Sequence, residues 1–418
     1  MMNKVEIKKI NKINIPSIEK TQISSIPVFY KGGLEQPVTK VEVVFNAGDS
    51  YSENPLVAVL TNSMLLEGTK NLTSKQFAEK IDYIAADIVA NSFLEHSSIS
   101  LVSLNKHINT AFELLNECLN YPRFDVNDFN ILKENKQKKL NIDLKNVNIV
   151  SRREFFKSLF ANHPYGRIIE NHHFDEVDIK QLNDFYNRLY NADNATIYLS
   201  GHINDDVLNI LNKKITMSVK ATKKPIIQEI TSNKTENIFI EKSDAVQSAI
   251  KIGKLVVSKH HPDYIPLFIT NVVLGGYFGS RLMKVLREEK GYTYGINSYI
   301  FSHKKTNVFI ISTEVIAEHT KEALKYIYEE INKLCQEKIT TYELENVRSY
   351  LSGQILRSLD GPLNTIEVIK GIHQSELDMN FYNNYLDWLN KITPDVILTM
   401  AQRYLSSNFL EVVVGKMN

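Results

Sequence analysis

Hydrolytic metal chemistry needs several ligand side chains and a general base around one ion. The nearest approach to such a set in this chain is Ser92-Phe-Leu-Glu95-His96, the inverted zinc pattern H-x-x-E-H with serine at the first histidine. The residues that follow, Ser97-Ser-Ile-Ser-Leu-Val-Ser-Leu104, alternate in the manner of a strand. On a strand, positions four apart lie about 13 Å from one another, too far to share an ion. The adjacent pairs His172-His173 and His260-His261 diverge on either helix or strand and read as surface histidines. Cys118 and Cys335 each sit in an amphipathic helical pattern and read as buried free thiols. Two cysteines exclude both a disulfide scaffold and a cysteine-ligated zinc site.

A second group of residues lies in a glycine-rich turn, Gly275-Gly276-x-x-Gly279. It lacks the G-x-G-x-x-G spacing of a dinucleotide site, and the chain has no phosphate-binding Gly-Lys-Ser/Thr. The turn reads as a place where backbone comes close to a substrate or to a neighbouring strand. It opens a helix running to about Lys290, with Gly291 as C-cap and a strand from Tyr292. Arg287 then falls in the last helical turn and Tyr294 on the strand, sharing a face with Tyr292. By themselves, an arginine beside Glu288, Glu289 and Lys290 is a solvated charge, and a tyrosine on an alternating strand is core.

The elements that must hold these residues are written twice. Arg188-Leu-Tyr190 followed by Asn194-Ala-Thr-Ile-Tyr-Leu-Ser-Gly201 is echoed by Arg403-Tyr404 and Asn408-Phe-Leu-Glu-Val-Val-Val-Gly415, with both the Tyr pair and the Gly pair 214 residues apart. Leu60-Thr61-Asn62 returns as Ile269-Thr270-Asn271, and the amphipathic stretch around Ala111 returns around Ala323. A repeat of about half the chain is a duplicated domain, not a short-period solenoid. Each copy reads strand, helix, strands, a long helical stretch, then helix and final strand. The fold class expected is α+β: two homologous domains, 1–217 and 235–418, each a largely antiparallel sheet with helices packed on one face. The join is the Lys-, Thr-, Pro- and Asn-rich stretch from Ser218 to Glu236.

Composition restricts the partners. The chain is 43% hydrophobic and 23% charged with a net charge of +1, which gives no electrostatic case for nucleic acid or an anionic membrane. Short lysine runs such as Lys136 to Lys139 read as solvated faces. The polar N-terminus, Met-Met-Asn-Lys-Val-Glu-Ile-Lys-Lys-Ile, does not read as a signal peptide, and no apolar run reaches the length of a membrane span. A cytoplasmic location is expected.

Several motifs in order carry a resemblance over nearly the whole chain: Phe45-Asn-Ala-Gly-Asp49, Met64-Leu-Leu-Glu-Gly-Thr69, His163-Pro-Tyr-Gly166, Asn194-Ala-Thr196 and Gly275-Gly-Tyr-Phe-Gly-Ser-Arg-Leu282, continuing into Leu286-Arg-Glu-Glu-Lys-Gly-Tyr-Thr-Tyr294. Together they resemble the pitrilysin/insulinase/processing-peptidase family of inverzincin metallopeptidases. In such enzymes H-x-x-E-H precedes the Met-Leu-x-x-Gly-Thr run, and double-domain units enclose a chamber for unfolded peptides. Here the two histidine positions and the glutamate position hold Val59, Ser63 and Asn62. The third ligand, a glutamate on a later helix, is matched by Asn141, with Asp143 the one acid nearby. None of these can build a zinc site, and Asn62 is no general base.

The resemblance implies a role for what is kept. Arg287 and Tyr294 have the spacing of the family's second-domain pair, which reaches the zinc centre of the opposite unit to hold substrate and oxyanion. Gly275, Gly276 and Ser280 are the accompanying candidate substrate contacts. The expected function is therefore a non-catalytic subunit of a two-chain zinc metallopeptidase, with no cofactor of its own. Its partner would carry H-x-x-E-H and the zinc, and the ligand of the pair would be a peptide. The alternatives are a structural or peptide-holding module without protease function, core-subunit-like or homodimeric, and a peptidase using another site.

Overall fold

The protein, described as a computed structural model over residues 16–220, 230 and 236–417, contains two sheets. Most of the stretch read as the join, and the N-terminal residues, lie outside the described residues. The first half runs β1 (Glu19–Ile23), β2 (Ile26–Gly32), β3 (Val38–Phe45), α1 (Leu56–Met64), α2 (Ser74–Tyr83), β4 (Asp87–Ser92), β5 (Ser97–Leu104), α3 (Ile108–Asn120), α4 (Val126–Asp143), α5 (Val147–Phe160), α6 (Asn171–Glu176), α7 (Ile179–Leu189), β6 (Ala195–Gly201) and α8 (Asp205–Lys214). The second runs β7 (Asn237–Glu241), β8 (Gln247–Val256), α9 (Tyr264–Gly275), a π-helical segment Met283–Glu289, β9 (Ile296–Ser302), β10 (Asn307–Ile316), α10 (Thr320–Gln336), α11 (Thr341–Ser358), α12 (Gly361–Gln374), α13 (Phe381–Lys391), α14 (Pro394–Tyr404) and β11 (Leu410–Gly415).

Strand order in the first sheet is β1-β2-β6-β3-β5-β4, and in the second β7-β11-β8-β10-β9. Apart from β1 the two orders are identical strand for strand. In each sheet one neighbouring pair is parallel, β2 with β6 and β7 with β11, and the others are antiparallel. Local sequence explains many of the boundaries. Thr73 and Asp178 open α2 and α7 with reciprocal capping boxes to Gln76 and Gln181. Asp125 and Asn146 cap α4 and α5 by accepting two backbone N–H bonds each. The fold is α+β, as the periodicity indicates.

The halves also exchange a helix. α5 belongs to the first half but lies on β8 and β11 of the second sheet, where Phe155, Leu159 and Phe160 bury against Val308, Ile310, Leu410, Val412 and Val414. Burying each of these three side chains stabilises the docking by about 2 kcal/mol. α12, which starts 214 residues after α5, lies reciprocally on β2 and β6, with Ile366 against Val44 and Tyr198. Each sheet is thus covered on one face by its own half's helices and on the other by a helix from its twin.

Polar contacts fix both crossings. Lys370 on α12 bonds the buried Glu42 of β3 at 2.6 Å and Glu367 at 2.6 Å, while Lys40 reaches Glu367 at 2.7 Å. In the mirrored position, Lys251 of β8 donates to Asn148 of α5 at 2.7 Å, and Asn148 donates to Glu314 at 2.6 Å. Burial pulls the Lys251 ammonium down to about 8, against the neighbouring Glu314 charge.

Candidate functional site

α1 follows Pro55 and packs its apolar residues into the first core. Val59 is half-buried against that core and Ser63 is half-buried one turn on. Between them Asn62 is fully enclosed and spends its whole carboxamide on structure. Its Nδ2 donates to the carbonyls of Asn91, at 2.8 Å, and Ser98, at 3.1 Å, and its Oδ1 accepts from the Tyr190 hydroxyl at 3.1 Å. The side chain therefore clasps α1 to the β4–β5 hairpin and to the end of α7. Its counterpart Asn271 on α9 donates to the Ser298 carbonyl at 3.2 Å. Asn62, matched by the sequence resemblance to the general-base position, is thus built like Asn271 of the other half, with its side chain bonded to a neighbouring strand. Asn141 sits exposed on α4 and accepts a bond from Asn171 at 3.3 Å. These side chains do not fit a zinc ion, because none is an imidazole, thiolate or carboxylate. Among the described residues no cluster of three or more His, Cys, Asp or Glu could hold a metal.

Ser92-Phe-Leu-Glu95-His96 forms the turn between β4 and β5, closed by the Phe93 N–H to the His96 carbonyl at 2.8 Å. Gly48 of the Phe-Asn-Ala-Gly-Asp motif lies against this turn, where a Cβ would fall 2.4 Å from the Leu94 carbonyl. Asp49 then bonds the Phe93 carbonyl through its N–H at 3.0 Å and accepts from the Ser92 hydroxyl at 3.3 Å. Burial pushes the Asp49 carboxyl up to about 7, with the Ser92 bond and the Lys136 charge opposing the shift. Glu95 is not a free base: it accepts from the Tyr165 hydroxyl and, at 2.8 Å, from the Lys304 N–H of the second half. Burial holds His96 down at about 4, so it is neutral at pH 7. These residues wall a cavity of about 660 Å³ between the halves, closed opposite by Tyr299, Phe301 and His303. His303 stacks on Tyr165 with ring centroids 4.3 Å apart.

The glycine turn of the second half begins against the sheet. A Cβ on Gly275 would meet the Ser298 hydroxyl at 2.7 Å, so this glycine lets α9 close on β9. Ser280 is buried with its hydroxyl inside, and Gly276 continues α9 as its C-cap. Gly276 is half-buried and Gly279 exposed, so among these residues only Gly275 and Ser280 are enclosed. The exposed tip of the turn is Phe278, whose ring carries the Arg287 guanidinium 4.6 Å from its centroid. Arg287 lies in the π-helical segment, closed by the Lys290 N–H to the Val285 carbonyl at 3.0 Å. Such segments are rare and recur at functional sites. No carboxylate among the described residues pairs with Arg287.

Gly291 takes the left-handed φ of +67° expected of a cap, but the strand that follows starts at Ile296, not at Tyr292. Thr293 explains the delay. Its hydroxyl bonds both the N–H and the carbonyl of Gly295, and Thr313 donates to the same carbonyl at 3.0 Å, holding the chain in a turn. Tyr292 and Tyr294 consequently do not share a strand face. Tyr292 is half-buried and stacked on His319 at 4.2 Å, whereas Tyr294 is 92% exposed. Tyr294 stands at the rim of a polar cavity of about 310 Å³ with Asn148 and Glu314. Sequence reasoning missed three participants: Tyr190, Phe278 and Thr293. Only Phe278, an aromatic between glycines in an exposed turn, left a local signal.

Two related halves with exchanged helices define the class of fold. Residues 33–172 match the family model described as insulinase, peptidase family M16, and residues 176–351 match that of the peptidase M16 inactive domain. The chain is a member of the M16 peptidase family. It is 24% identical over 299 residues to the uncharacterized zinc protease YmxG of Bacillus subtilis, covering 71% of this chain and 73% of that one. It is likewise 24% identical over 342 residues to the non-peptidase homolog YmxG of Helicobacter pylori, covering 79% and 78%. The crystal structure of a peptidase M16 inactive domain from Pseudomonas fluorescens superposes with a TM-score of 0.86 at 21% identity, over 96% of this chain and 99% of that one. Among the described residues no helix is long and apolar enough to cross a membrane.

Proposed function

We propose that this chain is the non-catalytic subunit of a two-chain zinc metallopeptidase that processes or degrades peptides. A partner subunit carries H-x-x-E-H and zinc, and this chain closes the chamber and presents Arg287 and Tyr294 to the partner's metal centre. The observation that carries this reading is an asymmetry. Asn62 is locked into three structural hydrogen bonds, while Arg287 has no carboxylate partner among the described residues and Tyr294 is 92% exposed. A cation at the end of a rare helical segment and a phenol exposed on the turn that follows it suit groups that act on something the chain does not itself contain. Arg287 would grip a substrate carbonyl or carboxylate, and the Tyr294 hydroxyl would donate to the developing oxyanion.

The test is reconstitution. The purified chain should bind no stoichiometric zinc and cleave no unfolded peptide, and both properties should arise on mixing with the H-x-x-E-H subunit from the same source. Stoichiometric zinc and peptidase activity in the lone chain would overturn the reading. A second reading, a peptide-holding module, is favoured by the aromatic-walled cavity of about 660 Å³ at the end of the edge strand β4. It is distinguished by peptide binding without cleavage, alone or in any complex recovered from the native source.

A further inference from the structure

A second large cavity, about 720 Å³, lies in the second half, away from both α1 and the Arg287 segment. Its walls come from α9, α11, α12 and α13. It opens where α12 leaves its own half to cross to the first sheet. We propose that it is a binding site for a small aromatic carboxylate. Three features set the chemistry.

One wall is continuous aromatic surface. Tyr264 lies 6.3 Å from Phe268 and 6.2 Å from Phe381, and Phe268 lies 5.9 Å from Tyr385, all as ring centroids. Such a wall stacks a flat ring and excludes water from it. The charge at the rim is positive. Arg357 is exposed with no carboxylate partner among the described residues, and the half-buried Lys259 ammonium donates to the Ser375 hydroxyl at 3.1 Å. The one acid on the wall, Glu367, is neutralised by Lys40 and Lys370.

The third feature is Tyr385. It is only 8% exposed, lines the cavity, and has no hydrogen-bond partner for its hydroxyl among the described residues. Its ring is buried, but its hydroxyl is not enclosed by protein and is free to donate into the cavity. The Tyr385 hydroxyl donates to a ligand acceptor in the cavity, while Arg357 forms charge-assisted bonds to the carboxylate. The volume falls in the usual range of small-molecule sites, about 300–1,000 Å³. This site stands independently of the subunit role proposed above.

The experiment is a calorimetric titration of the full chain with 2-naphthoate and its neutral analogue 2-naphthamide. Naphthoate should bind saturably at one site per chain, with the amide at least about 10-fold weaker, the scale of one charge-assisted bond. Arg357→Gln should remove that preference, and Tyr385→Phe should weaken naphthoate about 5-fold, the scale of one neutral hydrogen bond. Arg152→Gln, on the wall of the cavity of about 660 Å³, should leave naphthoate binding unchanged. The Arg357 guanidinium and the Tyr385 hydroxyl have no hydrogen-bond partner among the described residues, so both variants should melt with the parent. Absence of saturable binding, equal affinity for acid and amide, or loss of binding in Arg152→Gln alone would overturn the assignment.

Discussion

Restoring the family's glutamate at position 62 should damage this protein rather than awaken it. The Asn62 carboxamide donates to two buried hairpin carbonyls and accepts one phenol hydrogen. In Asn62→Glu an acceptor replaces both donors, so the carbonyls of Asn91 and Ser98 each lose a partner, at about 1.5 kcal/mol apiece. The added methylene enters a site that is only 1% exposed, costing about 1 kcal/mol more. The sum is a loss of about 4 kcal/mol, or about 10 °C in the melting temperature of a half this size. Asn62→Gln keeps the donors and adds the same methylene, so it should lose only the packing part. Thermal unfolding followed by circular dichroism at pH 7 separates the two variants. A glutamate variant that melts with the parent, or a glutamine variant that falls as far as glutamate, would refute the clasp.

Three further outcomes follow from the same geometry. Asp49 has its carboxyl raised to about 7 by burial, so the stability it contributes is fully present below the ordinary carboxylate range and is lost as pH rises through about 7. Asp49→Asn should therefore match the parent in urea unfolding at pH 4 and exceed it at pH 8, by at most about 4 kcal/mol. Lys370→Met leaves Glu42 buried without its cation and should cost about 3–5 kcal/mol, while the double change Glu42→Met with Lys370→Met should recover most of that in chemical denaturation. Phe278→Ala removes the ring beneath Arg287 and should lower turnover of the reconstituted complex about 3-fold, with the melting temperature unchanged.

The duplication was legible because aromatic, Asn and Gly positions recur near 214 residues, and the structure gives both halves one strand order. The match of Val59, Asn62 and Ser63 to the family's zinc positions came from the resemblance, through the Met64 to Thr69 frame. What Asn62 does instead was not legible, because its partners Asn91, Ser98 and Tyr190 are brought together only by the sheet. The exchange of α5 and α12 was hidden for a related reason. Val150, Phe155, Phe156 and Leu159 make α5 apolar on several sides, and nothing local states which sheet it will cover. The start of β9 was misplaced because Thr293 and Thr313 turn the chain through side-chain bonds that alternation does not register. That same turn is what leaves Tyr294 exposed.

The subunit role stands or falls on the turnover of the reconstituted two-chain complex with Arg287→Ala or Tyr294→Phe. With zinc content and subunit association unchanged, kcat should fall about 10²-fold in each, the scale of losing one oxyanion contact. Parental turnover in both variants would contradict a trans contribution from this chain.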